Sequence, residues 1–188
     1  RGPMFRKHLV TKYTVDDAHD MFRQIFPDEK LYEEEGGSLK SCFSEAAKTF
    51  NDPDVLWNYY IYTDSSPEHP LGYSVGMSGI YLEDADPDSA WLGWLGVLPE
   101  YRREGYGTRI MNEFLRECRE RGFKFARLYT NENNIVARAF YEYNGFVGEK
   151  YNGEVPECVK TGGDVWIYSK SLCPAVPCVP WGDRHLDF

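Results

Sequence analysis

Arg102, Arg103, Gly105 and Gly107 fall within six residues, between an apolar run that ends at Val97-Leu98 and a segment with the period of an amphipathic helix. Two arginines and two glycines at a helix start make a receiving site for phosphate or pyrophosphate. Glycine removes the side chain that would hold an anion away from the unpaired N–H groups of the first turn. The helix dipole favours negative charge at that end by roughly 0.3–1 kcal/mol at an exposed site, and the guanidinium groups add to it. Two familiar phosphate loops are excluded. A P-loop requires Gly-Lys-Ser/Thr, whereas Gly107 is followed by Thr108 and Arg109. A dinucleotide-binding turn requires a third glycine where this chain has Ile110.

A second group lies downstream, in Asn134-Ile135-Val136-Ala137-Arg138-Ala139-Phe140-Tyr141-Glu142-Tyr143-Asn144-Gly145-Phe146. Ala137 and Tyr141 share a helix face at i and i+4, Asn133 or Asn134 suits the N-cap, and Gly145 suits the left-handed position past the C-terminus. In order and spacing the two segments resemble the Arg-x-x-Gly-x-Gly and Asn-x-x-Ala-x-x-x-Tyr-x-x-x-Gly-Phe motifs of the GCN5-related N-acetyltransferases, the GNAT family. The resemblance extends over roughly residues 57 to 171.

That resemblance implies an α/β domain of the α+β type, a mixed, mostly antiparallel central sheet flanked by helices, with acyl-CoA bound between splayed strands. It implies acetyl-CoA as cosubstrate. The backbone of Arg102, Arg103, Glu104, Gly105, Tyr106, Gly107 and Thr108 would hold the pyrophosphate, and Leu95 and Val97 would pair with the pantetheine arm. Asn134 and Ala137 would flank that arm, and Tyr141 would touch the cofactor and act as general acid toward the leaving sulfur. Many relatives carry a glutamate base on the strand before the loop, but counting back from Gly105 places Trp91 there. Glu83 and Asp84 are the nearest acids, and Glu83 is the expected catalytic partner of Tyr141. His69 is a weaker candidate. A water chain, or an amine already partly neutral, would serve instead.

The elements that must position these groups follow from periodicity. A strand is expected from Met4 to Thr11, and a helix from Thr14 to Phe26 that Pro27 stops. Leu39, Phe43, Ala46, Ala47 and Phe50 give a second helix over 38–50. Strands over 57–62 and 71–82 flank a turn-rich segment, and a strand over 90–98 holds Gly93 and Gly96, the sign of a bulge or a close backbone approach. Ile110, Met111, Phe114, Leu115 and Cys118 give a helix over 107–121, which Gly122 closes. Strands over 125–130, 146–151 and 165–172 complete one domain of residues 1–172. Residues 173–188, too rich in proline for a helix, would run extended over the surface.

Composition narrows the function. With 42 % hydrophobic and 16 % aromatic residues, 188 residues can bury a core. A net charge of −9 opposes nucleic acid and suits a cationic acceptor. Trp57 and Tyr59, or Tyr60 and Tyr62, together with Asp84, Asp86 and Asp88, could draw in such an amine by cation–π and charge pairing, or could be core aromatics and a solvated turn. The run Glu33-Glu34-Glu35 is either a solvated loop or a negative rim. Five scattered cysteines lack histidines at metal-ligand spacing, so free thiols and no metal are expected. No apolar run reaches the ~20 residues of a membrane span and no leader pattern opens the chain, with Met4 as the natural start, so a cytoplasmic protein without membrane association is expected. The expected function is an acetyl-CoA-dependent N-acetyltransferase acting on a small cationic amine or antibiotic-like molecule, with room for a homodimer. Protein amino termini or lysines are the alternative acceptors. A catalytically silent acyl-CoA sensor or interaction module is the alternative of another class.

Overall fold

The expected periodicities set the elements of the computed structural model, which describes residues 4–29, 39–49 and 51–188. Glu33-Glu34-Glu35 lies outside the described residues. In chain order the elements are β1 (Arg6–Leu9), α1 (Val15–Ile25), α2 (Leu39–Thr49), β2 (Trp57–Asp64), β3 (Tyr73–Glu83), β4 (Asp86–Val97), a 3-10 turn (Pro99–Tyr101), α3 (Tyr106–Glu120), β5 (Phe125–Asn131), α4 (Ile135–Tyr143), β6 (Val147–Lys150), α5 (Glu157–Lys160) and β7 (Val165–Ser171). The strands hydrogen-bond in the order β1-β2-β3-β4-β5-β7-β6. The β4–β5 pair is parallel, and β1–β2, β2–β3, β5–β7 and β6–β7 are antiparallel. β4 starts at Asp86, four residues before the expected strand, through an Asp-Pro-Asp sequence that disfavours strands. Burial of Asp86 against Arg127 overrides that local preference.

The chain forms two compact units. The first comprises residues up to Tyr81 together with Gly93–Phe114. There α1 and α2 bury Ala18, Met21, Phe22, Phe43 and Ala46 against Tyr59, Ile61 and Met77. Asp16 and Asp17 in the first turn of α1 and Arg23 in its last complement the dipole. In mid-β4, Trp94 takes a φ of +48°, and its ring meets Phe22 edge-on at 4.8 Å. Two residues on, a Cβ at Gly96 would stand 2.3 Å from Ile25 Cγ2, so the close approach of α1 requires glycine.

The second unit comprises Leu82–Leu92 and Leu115–Phe188. Its ladder runs Ser89–Trp91 against Phe125–Arg127, then the whole of β5 against β7, then β7 against β6. Alternation separates its faces. Tyr168 and Trp166 point to the side of α4, where Arg138 Nε donates to Tyr168 Oη at 2.9 Å and its guanidinium covers Trp166. Arg127, Ser169 and Glu149 point the other way, to residues 173–188. This last segment runs without helix and largely exposed over the surface, as expected, but is anchored at two points, because Trp181 is 1 % exposed and Leu186 fully buried. Glu149 accepts the amide N–H groups of Trp181 and Gly182 at 3.0 and 2.7 Å, and Arg127 Nη1 donates to Val179 O at 2.7 Å. Proline excludes helix there, but the two apolar side chains still find the core.

Candidate active site

The loop before α3 has an alternating backbone. Arg103 and Gly105 take left-handed φ values of +66° and +83°, two reversals that bring the chain from the 3-10 turn into the first turn of α3. The N–H of Arg109 bonds to Gly105 O at 3.2 Å, so the amides of Tyr106, Gly107 and Thr108 precede the helical ladder. A Cβ placed on Gly105 would meet nothing within 4 Å, and residues 102–105 are exposed. Free first-turn amides facing open space fit the pyrophosphate of a coenzyme A. Arg102 is folded back, its Nε donating to Val97 O at 3.2 Å and Nη2 to Ile25 O at 3.4 Å, so it ties the end of β4 to that of α1. Tyr106 is buried, and its hydroxyl donates to Asp64 Oδ2 at 2.6 Å. Burial and that bond hold its phenol far above the ordinary range. Only the backbone amide of Tyr106 can therefore face an anion. Leu95 and Val97 are half-buried and lie beyond the three register positions of the β4–β5 ladder.

On the second unit, α4 carries Asn134, Ala137 and Tyr141. Asn134 makes no side-chain cap bond, contrary to the capping option, and its Nδ2 donates instead to Thr130 Oγ1 at 3.1 Å. Its side-chain oxygen therefore has no duty in the helix cap. Tyr141, one turn past Ala137, packs against Phe140, Phe146 and Tyr168 with ring centroids 5.8–6.3 Å apart. Burial pushes its phenol up to about 12, because a phenolate would be stripped of water there. It keeps its proton at every ordinary pH and can donate it. Gly145, at φ +87°, ends the helix region as expected.

Glu83 is 4 % exposed at the end of β3, and its Oε2 accepts the N–H of Asp187 at 3.4 Å. Burial raises its carboxyl to about 7, with Asp187 and Asp84 adding repulsion, and the Asp187 N–H and His185 opposing the rise. Tyr141 packs on the α4 face of this sheet, and Glu83 lies under the segment covering the other. Trp91, at the position of the missing base, is fully buried against Trp181. His69 stands in the β2–β3 turn, edge-on to Tyr73.

The expected amine-attracting cluster is corrected in part. Asp86 is buried, takes Arg127 and Ser89, and lies 3.5 Å from Arg184, so no charge remains for a substrate. Asp88 pairs with Lys124 at 3.5 Å. Of the aromatics, Tyr59 packs on Phe43, Tyr62 is stacked on Phe5 and Tyr60 lies under Lys7. These rings serve the core and the sheet. Asp64, Arg127 and Trp181 escaped sequence reasoning. Arginine in the apolar run Phe-Ala-Arg-Leu was the one available signal of a buried charge.

Loop, helix and strand geometry agree with a broader comparison. The sequence model described as "Acetyltransferase (GNAT) family" matches residues 13–146. The chain belongs to the GNAT family. Among curated GNAT relatives, a mycothiol acetyltransferase from Beutenbergia cavernae is 28 % identical over 109 residues, 58 % of this chain and 34 % of that protein. An uncharacterized N-acetyltransferase from Archaeoglobus fulgidus is 45 % identical over 47 residues, 25 % of this chain and 32 % of that one. The chain thus matches about a third of the length of these relatives. Among solved structures, spermidine N-acetyltransferase from Vibrio cholerae, in complex with CoA and spermine, superposes with a TM-score of 0.68 at 16 % identity, over 89 % of this chain and 95 % of that one. The ribosomal-protein-S18-alanine N-acetyltransferase from Escherichia coli gives 0.61 at 18 %, over 92 % and 97 %. At such identities these two show the GNAT fold.

Proposed function

We propose that this protein is an acetyl-CoA-dependent N-acetyltransferase working by direct transfer to a primary amine. The observation that carries this reading is the left-handed Arg103/Gly105 loop opening onto the free first-turn amides of α3. Acetyl-CoA supplies the activated acetyl thioester. Backbone amides of the 102–108 loop bind its pyrophosphate, Leu95 and Val97 offer backbone groups to the pantetheine arm, and Asn134 and Ala137 line that arm. Tyr141 Oη donates the proton that the departing thiolate needs, and Glu83 takes one from the amine.

The acceptor is a small cationic amine. A net charge of −9 attracts cations over a long range, and a GNAT neighbour of the same fold binds spermine. Transfer to protein amino termini is the second reading, favoured by the likeness to the S18-alanine enzyme. In either case the reaction belongs with a cytoplasmic supply of acetyl-CoA. Free-thiol release with acetyl-CoA and a panel of polyamines, aminoglycosides and N-terminal peptides tests the proposal. Turnover confined to the small amines supports it. No turnover with any amine, beside intact CoA binding, would leave only the silent binding module.

A further inference from the structure

The glycine loop is held from beneath. Asp64, at the end of β2, is 4 % exposed, and its Oδ2 accepts the Tyr106 hydroxyl at 2.6 Å and Arg109 Nη1 at 3.4 Å. Tyr106 gives its only hydroxyl proton to Asp64, so the 3.4 Å contact from Tyr73 Oη is a bond that Tyr73 donates. Rings close round this core. Phe5 stacks on Tyr106 and carries the Arg109 guanidinium on its face at 4.3 Å, and Tyr101 stacks on Tyr73 at 5.1 Å.

Tyr106 stands between Gly105 and Gly107, and its own amide is one of the three ahead of the helical ladder. Glycines have the largest backbone freedom to lose when an anion fixes the loop. A side chain clamped at its far end removes that freedom before the ligand arrives, which is the general route by which preorganisation raises affinity. A carboxylate close to an anion site would otherwise oppose binding, but here it is engaged by Tyr106 and Arg109. Its contribution is therefore geometric.

We propose that Asp64 is a positioning residue for acetyl-CoA, acting through the Tyr106 hydroxyl to hold the 102–108 loop in its anion-receiving form. This inference rests on the reading of that loop as the pyrophosphate site. The test is calorimetric titration of CoA into wild type, Asp64→Ala, Asp64→Asn, Tyr106→Phe and Gly105→Val, with steady-state kinetics on an accepted amine and melting curves for each. Asp64→Ala and Tyr106→Phe should weaken CoA binding and raise KM for acetyl-CoA about tenfold, the effect of losing one buried hydrogen bond. Turnover at saturation should stay within about twofold. Asp64→Asn, which still offers an oxygen to the Tyr106 hydroxyl, should recover most of the affinity. Wild-type CoA affinity in folded Asp64→Ala or Tyr106→Phe overturns the proposal, as does an Asn variant as weak as Ala. Tyr106→Phe keeps the ring packing and decides the matter if Asp64→Ala does not fold. A wild type that binds no CoA, or a folded Gly105→Val that binds it normally, overturns the loop reading itself and the brace with it.

Discussion

The indole rings of Trp91 and Trp181 meet edge-to-face, nearly perpendicular, with centroids 5.1 Å apart. Trp91 holds the position at which many GNAT relatives carry a glutamate base, and Trp181 comes from the segment after the last strand. A carboxylate there would be buried against an indole, so this chain has given the position to packing. Any base must come from elsewhere, and Glu83, roofed by the same C-terminal segment, has a carboxyl raised to about 7.

Glu83 therefore gives a pH signature. A base must be unprotonated, so kcat/KM should rise through a pKa near 7, and Glu83→Gln should abolish that limb and lower the plateau. Stability runs the opposite way. The folded state holds this proton more tightly than the unfolded chain, so the wild type loses stability as pH rises from about 4.5 to about 7. Melting curves should show Glu83→Gln gaining on wild type at pH 8 and not at pH 4. An unchanged kcat/KM profile in the variant would remove Glu83 from the mechanism.

Tyr141→Phe keeps the ring against Phe146 and Tyr168 and deletes the proton. CoA affinity should persist while kcat falls by roughly 10² to 10⁴, the scale of general acid catalysis. With a phenol near 12, Tyr141 should impose no alkaline limb below that pH. Near-normal kcat in a variant destabilised by only ~1 kcal/mol would make it a packing residue.

Gly105→Val should abolish CoA binding. Its Cβ would fill the open space before the helix, and φ +83° is costly for a β-branched residue. Calorimetry on protein with a native circular dichroism spectrum separates lost binding from lost fold. Arg102→Ala, whose guanidinium braces backbone carbonyls, should weaken binding less.

Arg127 is fully buried among Asp86, Ser89, Ser169 and Val179 O. Arg127→Ala strands the Asp86 carboxylate and should cost on the order of 3–5 kcal/mol in urea unfolding. A loss under about 1 kcal/mol would mean that Arg184, 3.5 Å from Asp86, suffices alone.

Local chemistry made most of the fold legible. The helix over 107–121, the Asn134 helix and the strands around them appear within a residue or two, because their apolar spacing and their Gly145 and Gly122 stops are contained in the segments themselves. The glycine loop was legible for the same reason. The buried pairing of Asp86 is not legible locally, because nothing near it announces a partner 41 residues away, nor is the burial of Trp181, because proline dominates its surroundings. Tyr106 was read through its glycine neighbours, although its side chain turns away from them to Asp64.

The bond from the Asp187 amide to Glu83 spans 104 residues of chain. While the protein is being made, the β3–β4 turn leaves the ribosome long before the segment that seals it. Until residues 179–187 emerge, Asp86 lacks Arg184, Arg127 lacks the carbonyl of Val179, and Trp91 lacks the edge contact of Trp181. Released chains truncated at residue 178 should therefore be sensitive to protease across β4 and β5, and restoring residues 179–187 should protect them.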